Sequence, residues 1–366
     1  MKKTRRIGFV IHSLNAGGAE RVLTELANEL VTKQEVVIIT LIKCVPFYSV
    51  NPKIKIAHCS NGEVYSKNGV QAILNNLKYV RKIYSIIKDE KINLIIGFTT
   101  SANVMSVLAS KTAKIKCIIS ERNNPILAPP NKFWTVLRNF TYRYANYLVV
   151  QTENNKSFYS QILPKDKIII IANPIGSIFE TERKLPRFDK IKKSIISVGR
   201  LNSNKSQDLL IKAFANIPND EYNLKILGDG PKKDNYIELT KDLSIENKVE
   251  FLGNINDISK YYNNATIFVF TSKSEGFPNA LMEAMYFGLP CISTNCPNGP
   301  SDLIQDGING FLIEVDNRHQ LEEKLTHLMN HENIRQELSR NAILSTKKFE
   351  MKFIVKAWEK YINELT

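Results

Sequence analysis

Two glutamates stand eight positions apart in the segment SEGFPNALMEAM, residues 274–285, directly after the apolar run TIFVFTS. Carboxylates can form an acid and base pair, ligate a metal ion or accept hydrogen bonds from hydroxyl groups. Pro278 suits the first position of a helix, which places Glu275 in the preceding loop and Glu283 in the second helical turn. The chain has no D-x-D motif and no histidine near this turn. The pattern therefore argues against a metal site and a closely paired acid and base, and leaves hydroxyl contacts or two ordinary surface carboxylates.

The same turn offers a site for an anion. The N–H groups of Asn279, Ala280 and Leu281 are expected to point outward from the N-terminus of the helix, where the helix dipole favours negative charge.

Two cations follow another apolar run in the segment SVGRLNSNKSQDLLIKAF. Arg200 offers a fork for two oxygen atoms and Lys205 a point charge beside it, a combination that suits a diphosphate. A solvated charged loop is the alternative. Ser206 or Asn204 is expected to cap the helix that follows.

Glycines occupy two further turns between strand and helix patterns. Gly17 and Gly18 in SLNAGGAERV allow backbone N–H groups to approach a phosphate closely at a helix N-terminus. The spacing is not G-x-G-x-x-G, so the dinucleotide-binding fingerprint is absent, and a plain tight turn is the alternative. Gly228 in ILGDGP makes a sharp turn that could line the pocket of a nucleotide base.

Short apolar runs must position these turns, and helix-period segments separate the runs along the chain. The runs are IGFVIH, EVVIITLI, NLIIGF, KIKCIIS, YLVVQT, KIIIIAN, SIISVG, NLKILG, KVEFLG, TIFVFTS, LPCIST and GFLIEV. Near-continuous apolar strands alternating with helices predict parallel sheets covered on both faces, so the fold class is α/β with two doubly wound domains. Ligands of such sheets bind at the carboxyl ends of the strands.

The domain limits follow from the polar segment SIFETERKLPRFDKIKKS, residues 177–194, which shows no sustained period and is interpreted as a linker. We therefore predict an N-terminal domain over residues 1–185 and a C-terminal domain over residues 186–348. The pattern KKFEMKFIVKAWEKYINEL predicts a helix at about residues 349–366 that packs back on the first domain. Its expected apolar face comprises Phe349, Phe353, Val355, Ala357, Trp358, Tyr361 and Ile362.

Composition narrows the class of protein. The chain has 366 residues, 43% hydrophobic and 23% charged, and no apolar stretch long enough to span a membrane. The opening MKKTRRIGFVIH is interpreted as a first strand rather than a signal peptide. The five cysteines of the chain lack C-x-x-C spacing, which favours free thiols in a cytoplasmic protein over a structural zinc site.

The net charge of +14 is unevenly distributed. Residues 1–185 carry 27 Lys and Arg against 12 Asp and Glu, whereas residues 186–366 carry 23 against 24. This asymmetry indicates that the first domain meets an anionic partner, and nucleic acid, a lipid surface and a phosphorylated acceptor are all candidates.

With these motifs in place, the chain resembles the family 4 glycosyltransferases, which are retaining enzymes of the GT-B fold. The resemblance rests on SLNAGGAERV, SVGRLNSNK, ILGDGP, FLGN, SEGFPNALMEAMYFGLPCIST and DGINGFLIEVDN. It implies two Rossmann-like domains that face each other across a cleft. It also implies that Glu275 contacts the hydroxyls of a donor sugar, Glu283 holds the nucleotide ribose, and Arg200 and Lys205 bind the diphosphate.

The resemblance further implies a metal-independent transfer without a cofactor, in which a nucleotide-sugar, best a UDP-sugar, is the donor substrate. Gly17 and Gly18 match the loop that closes over the donor. Many relatives carry a histidine in the N-terminal domain where this chain has Arg122 in ISERNNP. Arg122 cannot act as a base near neutral pH. It and its neighbours Glu121 and Asn123 are therefore candidates for contact with the acceptor or a diphosphate, and an ion pair between Glu121 and Arg122 is the structural alternative.

The segments SERNNP and CPNGPSDLI are similar to those of bacterial N-acetylgalactosaminyl- and galactosyltransferases that extend undecaprenyl-diphosphate-linked oligosaccharides. That similarity implies transfer of GalNAc, GlcNAc or Gal in surface polysaccharide or glycan biosynthesis. It also implies a peripheral location on the inner face of the bacterial plasma membrane, without nucleic acid as a partner. Basic and aromatic residues in LNNLKYVRKIYSIIK and NKFWTVLRNFTYRY could contact an anionic leaflet. Two other functions stay open: a sugar-nucleotide 2-epimerase of the same fold, and a basic binding module without chemistry.

Overall fold

The computed structural model describes residues 5–62, 69–184, 193–255 and 257–365. Contacts divide the chain into two units, of which the first combines Met1–Pro174 with Met351–Thr366 and the second is Ile175–Glu350. The division comes earlier in the chain than the predicted boundary after residue 185. No helix in the described ranges is both long and apolar enough to cross a membrane.

The first unit is a parallel sheet with helices on both faces. Its strands are β1 (Arg6–Ile11), β2 (Glu35–Ile42), β3 (Lys55–Ser60), β4 (Leu94–Phe98), β5 (Lys116–Ser120), β6 (Tyr147–Val150) and β7 (Ile168–Ile170). Its helices are α1 (Gly18–Leu30), α2 (Gly69–Asp89), α3 (Thr100–Ala113), α4 (Lys132–Thr141) and α5 (Glu153–Tyr159), with 3-10 turns at Tyr142–Tyr144 and Lys165–Lys167.

The strands take the order β3-β2-β1-β4-β5-β6-β7, and all neighbouring strands are parallel. The order reverses beside β1, which is the doubly wound arrangement. All positions of β2 after its first residue are buried, as expected for a strand covered on both faces.

The second unit repeats this plan. Its strands are β8 (Ser194–Val198), β9 (Asn223–Leu227), β10 (Val249–Gly253), β11 (Ile267–Phe270), β12 (Cys291–Thr294) and β13 (Phe311–Ile313). Its helices are α6 (Ser177–Glu182), α7 (Gln207–Asn216), α8 (Lys233–Asp242), α9 (Ser259–Asn264), α10 (Asn279–Tyr286), α11 (Pro300–Leu303), α12 (Arg318–Asn330) and α13 (Glu332–Thr346), with 3-10 turns at Glu246–Lys248 and Lys347–Phe349. The sheet order is β10-β9-β8-β11-β12-β13, again parallel between neighbours.

The last helix, α14 (Met351–Leu365), returns to the first unit. Met351, Ile354, Val355, Trp358 and Ile362 are buried in one apolar cluster with residues of α1, β1 and β4. Phe353, which the sequence pattern places on the apolar face, is instead 47% exposed.

The structure differs from the sequence-based predictions at two segments. β3 (KIAHCS) was not among the predicted strands, because it is a partly exposed edge strand without a continuous apolar run. The predicted linker over residues 177–194 contains the helix α6 and the first residue of β8, and its residues 185–192 lie outside the described ranges.

Candidate active site

The loops that follow β8 and β11 are joined to each other at the carboxyl edge of the second sheet. The Lys273 N–H donates to the Asn204 carbonyl at 2.7 Å, and the Asn204 amide donates to the Ser274 carbonyl at 2.8 Å. The Thr271 hydroxyl donates to the Lys205 carbonyl at 2.8 Å. Because β8 and β11 are neighbours in the sheet, these bonds fix the loop that carries Lys205 beside the loop that carries Glu275.

Lys205 and Glu275 form an ion pair. Lys205 Nζ lies 2.6 Å from Glu275 Oε1, with 21% and 10% of the two side chains exposed. The ammonium group also lies 4.8 Å from the centroid of the Phe270 ring, within the distance of a cation–π contact. Two residues far apart in the sequence thus present one cation and one carboxylate at a single, largely covered position.

Arg200 belongs to the same loop as Lys205 and lies at the surface. It directly follows the turn after β8, is exposed, and its carbonyl accepts a hydrogen bond from the Gln207 side chain at 3.2 Å. Ser206 occupies the N-cap position of α7 but forms no capping bond from its side chain. Its hydroxyl donates to the Ser203 carbonyl instead, so the predicted capping by Ser206 or Asn204 is wrong.

Gly228 holds the turn after β9 against the turn after β8. Its φ is +131°, and a Cβ atom there would lie 2.1 Å from the Gly199 carbonyl oxygen. The Leu201 N–H donates to the Asp229 carbonyl at 2.9 Å across the same contact. Only glycine fits such a position, so Gly228 supports the loop of Arg200 and Lys205 by close backbone packing.

The turn before α10 differs in detail from the sequence expectation. Pro278 is the N-cap residue rather than the first helical residue. With φ −84° and ψ 73° it forms an inverse γ-turn, in which the Asn279 N–H donates to the Phe277 carbonyl at 3.0 Å. Leu281 is fully buried. The Asn279 N–H is therefore engaged within the turn and does not face outward as expected, whereas the outward direction of the Ala280 and Leu281 N–H groups stays a prediction.

Glu283 lies in the second turn of α10, whereas Glu275 lies in the loop before this helix. It is 5% exposed, and its Oε2 accepts a hydrogen bond from the Tyr262 hydroxyl at 3.2 Å. Tyr262, which the sequence did not single out, is itself buried under Phe179 and Phe287. Glu275 thus lies in the loop and Glu283 in the helix, as predicted; their lying at different depths of one cleft stays a prediction. The described ranges contain no group of three or more His, Cys, Asp and Glu side chains suited to a metal ion.

The loop CPNGP, which the sequence marked only through the resemblance, packs against the Glu275 turn. A Cβ atom on Gly299 would lie 2.2 Å from Pro278 Cδ, and the φ of Gly299 is +111°. Cys296 of the same loop is buried, and burial raises the pKa of its thiol to about 12, with the Glu275 carboxylate adding to the rise. No periodicity marks a loop residue of this kind, so sequence patterns could not find it.

In the first unit, Gly17 and Gly18 stand where β1 leads into α1. Gly17 is the N-cap residue with extended backbone, at φ −177°, and its carbonyl accepts from the Arg21 N–H at 3.0 Å. A Cβ atom on Gly17 would lie 2.1 Å from the Glu20 carboxylate, so that acidic group of the first helical turn folds back over Gly17. The two glycines are at a helix N-terminus, as expected, and their contact with a donor stays a prediction.

Glu121 lies at the carboxyl end of β5 and is buried. Its carboxylate accepts hydrogen bonds from the Thr100 hydroxyl and the Asn103 amide, both at 3.2 Å, and from the Tyr142 hydroxyl. Burial raises the pKa of Glu121, and these hydrogen bonds oppose the rise. This network fixes the start of the loop that carries Arg122; contact of Glu121 with an acceptor stays a prediction.

Arg122, the next residue, has other hydrogen-bond and ring partners, although the charge of Glu121 acts on it. It is 8% exposed, and its Nη1 donates to the Asn173 side chain at 2.6 Å. Its guanidinium carbon lies 4.9 Å from the Phe98 ring centroid and 5.9 Å from that of Trp358. The ion pair with Glu121 that the sequence left open is not formed within the described residues. Asn123, the next residue, is exposed.

The chain matches two models of known protein families, one in each half. The family model described as Glycosyltransferase Family 4 matches residues 16–176, and the model described as Glycosyl transferases group 1 matches residues 178–345. The two matches follow one another along the chain and meet near the division between the two units.

Two relatives come from Campylobacter jejuni. One, an α-1,4-N-acetyl-D-galactosaminyltransferase named for a GalNAc-GalNAc-diNAcBac-PP-undecaprenol substrate, is 31% identical over 98% of this chain and 99% of its own. The other, an N-acetylgalactosamine-N,N'-diacetylbacillosaminyl-diphospho-undecaprenol 4-α-N-acetylgalactosaminyltransferase, is 29% identical over 98% and 99%. Among solved structures, HepE from Anabaena in complex with UDP has a TM-score of 0.83 at 18% identity, over 99% of this chain and 100% of that one, which shows a shared fold.

Proposed function

This chain belongs to the family 4 glycosyltransferases, and from that premise we propose that it transfers a sugar from a nucleotide-sugar to a lipid-linked oligosaccharide with retention of anomeric configuration. GalNAc from a UDP-sugar is the first choice of donor, ahead of GlcNAc and Gal, since both Campylobacter relatives are named as N-acetylgalactosaminyltransferases. The observation that carries the proposal is the Lys205 and Glu275 pair, held at 2.6 Å by two loops at the carboxyl edge of the second sheet.

The proposed chemistry follows from charge. Cleavage of the anomeric bond leaves a nucleoside diphosphate, and Lys205 and Arg200 supply positive charge fixed in advance where the negative charge develops. Glu275, freed from its ion pair when the diphosphate binds Lys205, accepts hydrogen bonds from the sugar hydroxyls. An α-linked donor then gives an α-linked product.

The remaining donor contacts are proposed for residues that surround this pair in the second unit, together with the glycine turn of the first. Glu283, buried against Tyr262, binds the ribose hydroxyls. The other proposed donor contacts are Gly17, Gly18, Gly228, Asn279, Ala280 and Leu281, the last two through their backbone N–H groups at the N-terminus of α10.

The proposed acceptor is an undecaprenyl-diphosphate-linked oligosaccharide, because the printed names of both Campylobacter relatives contain a diphosphate-linked undecaprenol. Arg122 and Asn123 are the proposed acceptor contacts, and Glu121 positions their loop. Nothing in the comparisons supports the 2-epimerase alternative.

The proposed reaction needs neither a metal ion nor a cofactor, since Lys205 and Arg200 provide the charge that a metal would supply. Nucleotide release from a panel of UDP-, GDP- and ADP-sugars, with and without EDTA and lipid-linked acceptor, tests this. We expect release from one UDP-sugar that rises with acceptor and persists in EDTA. Loss of release in EDTA that added Mg²⁺ or Mn²⁺ restores would contradict the proposal of metal independence.

We further propose that the first unit rests on an anionic membrane surface at the cytoplasmic face of the plasma membrane. Phe133, Val136 and Phe140 of α4 are exposed at 38%, 67% and 57%, although they are large and apolar and lie on neighbouring turns of one helix. Lys132 precedes Phe133, and Arg143 lies 5.5 Å from the Phe140 ring. Exposed apolar residues rimmed by cations suit the interface of an anionic leaflet.

The neighbouring helix α2 adds to this surface. α3 packs against both α2 and α4, and the exposed apolar residues of α2 are Ile73, Leu74 and Leu77. Exposed Lys78, Arg81 and Lys82 follow them, and each cation near an anionic leaflet contributes about 1 kcal/mol.

Sedimentation with vesicles of phosphatidylglycerol and phosphatidylcholine tests the surface. We expect binding that falls with salt and is lost in a Phe133→Ser, Val136→Ser, Phe140→Ser variant. Leu344→Ser, at a residue of α13 that is 61% exposed in the second unit, is the matched control and should bind as the wild type does. Equal binding by all three proteins would contradict the assignment.

A further inference from the structure

Arg122 combines deep burial with unused hydrogen-bonding capacity. Only Nη1 is engaged, by Asn173, whereas Nε and Nη2 are buried and form no hydrogen bond to any described residue. These two atoms share one edge of the guanidinium group, where their N–H bonds run parallel. That edge is the one that binds a carboxylate or phosphate through two oxygen atoms.

Among the described residues no carboxylate forms an ion pair with Arg122, although the charge of Glu121 acts on it from beyond ion-pair distance. Asn173 is neutral, and the aromatic rings of Phe98 and Trp358 offset only part of the cost of burying a charge. The Trp358 indole N–H is a further buried donor that finds no acceptor among the described residues. Burial lowers the pKa of Arg122 to about 9, so the guanidinium stays charged at neutral pH. Burying a charged guanidinium group costs free energy when two of its donors form no hydrogen bond, and a bound anion would offset that cost.

The backbone around this position is strained. Thr99, directly after β4, has φ +72°, which is rare for a β-branched residue and costs about 1–3 kcal/mol. Thr99 joins Phe98, which lies against Arg122, to Thr100, which donates to Glu121. Strain of this kind persists where packing and hydrogen bonds hold a functional geometry.

We propose that Arg122 is an oxyanion-binding residue whose Nε and Nη2 edge receives two oxygen atoms of a substrate diphosphate. The identity of the anion rests on the proposed function, in which both the lipid-linked acceptor and the nucleotide-sugar contain a diphosphate. The edge is covered in the ligand-free chain, so binding includes a local shift of the loop at Arg122 and Asn123.

Inorganic pyrophosphate is a probe that needs no sugar transfer. The chain has two tryptophans, so a Trp134→Phe background leaves Trp358, beside Arg122, as the only indole reporter. We expect a saturable change of Trp358 fluorescence in this background and at least a tenfold weaker response after Arg122→Met. Arg122→Lys, which keeps the charge but lacks the two-atom edge, should be intermediate. Lys212→Met, which removes an exposed ion pair of α7 outside the proposed site, is the control and should leave the response unchanged.

Two further arms distinguish the source of the diphosphate. A raised Kd of UDP in Arg122→Met, measured by calorimetry, assigns the edge to the nucleotide. A raised KM for the lipid-diphosphate acceptor, with unchanged KM for the same glycan on a neutral aglycone and unchanged Kd of UDP, assigns it to the acceptor. Either result supports an oxyanion site. Loss of transfer by the wild type would refute the proposed function, whereas the pyrophosphate titration would still test Arg122.

A purely structural role gives a different pattern. Since Met keeps the contact with the two rings while removing a buried charge, we expect the Tm of Arg122→Met to stay within about 3 °C of the wild type. A large fall in Tm together with an unchanged pyrophosphate response would overturn the proposal, as would an absent response in the Trp134→Phe background. If Arg122→Met does not fold, Arg122→Lys carries the same comparison.

Discussion

The Lys205 and Glu275 pair makes the most specific claim about single residues. Lys205→Met retains the apolar stem over Phe270 but removes the charge that we assign to the diphosphate. We expect kcat to fall by about 10²- to 10³-fold, the usual cost of removing one group that stabilises developing negative charge. The control is Lys212→Met on α7, where the ion pair with Asp208 is exposed and contributes little. Turnover of Lys205→Met at the rate of Lys212→Met would remove Lys205 from the site.

We expect the titration of Glu121 to make the free energy of unfolding depend on pH. Burial raises its folded pKa above the ordinary value of 4.5, so the folded chain keeps a proton that the unfolded chain has released. The associated stability is complete below the unfolded pKa and is lost as pH rises through the folded pKa. Glu121→Gln lacks this titration, and we expect it to gain stability relative to the wild type as pH rises from the ordinary value of 4.5 through the raised folded pKa.

Urea unfolding at several pH values measures this difference. Tyr142→Phe is the companion variant, since it removes a hydrogen bond that lowers the pKa of Glu121 and should steepen the loss of stability with rising pH. A difference between wild type and Glu121→Gln that is constant over the whole pH range would contradict the assignment of a raised pKa.

Turns between strands and helices position the site, and glycine substitutions can test them. Gly228 and Gly253 both have positive φ, but a Cβ atom meets the Gly199 carbonyl only at Gly228, whereas Gly253 has open space around it. We expect Gly253→Ala to lower the free energy of unfolding by about 1 kcal/mol through backbone strain alone. Gly228→Ala should cost about 3 kcal/mol or more, because the clash adds to the strain. Equal losses in urea unfolding would show that the two turns do not pack as described.

The strands were the part of the fold that sequence could predict. Each run that was continuous and apolar, such as EVVIITLI and TIFVFTS, contains a strand of the structure, because a sheet covered on both faces requires such runs. β3 was missed because one edge strand needs only partial burial. The predicted linker was wrong at α6, whose short amphipathic turn is stabilised by packing of Phe179 on Tyr262 and Phe287, a contact that no local pattern reveals.

The sequence indicated the charged residues of the candidate site but not the residues that hold its loops in place. Charged residues and glycines at strand ends can be recognised by type and position, which is how Lys205, Glu275 and Glu283 were found. Tyr262, Asn204 and Gly299 act through contacts with residues distant in sequence, and the γ-turn at Pro278 depends on geometry that Pro alone does not determine. Long-range contacts of this kind have no sequence period.

The candidate functional features of the chain are distributed between two units of similar architecture. The Lys and Arg excess lies in the first 185 residues, which also carry the exposed apolar face of α4 and the buried Arg122. The second unit holds the Lys205 and Glu275 pair, Glu283 and Gly228. This division fits the proposed function, in which the donor is a nucleotide-sugar and the acceptor an anionic lipid-linked glycan.

The most direct test of this account is mass spectrometry of the lipid-linked product. The purified chain would be incubated with UDP-N-acetylgalactosamine and an undecaprenyl-diphosphate-linked oligosaccharide, with Lys205→Met as the inactive control. We predict a lipid-linked glycan longer by one N-acetylhexosamine in α-linkage, formed by the wild type and not by the variant. An unchanged glycan with every UDP-sugar tested, or conversion of the UDP-sugar to its epimer without a new glycosidic bond, would contradict the account.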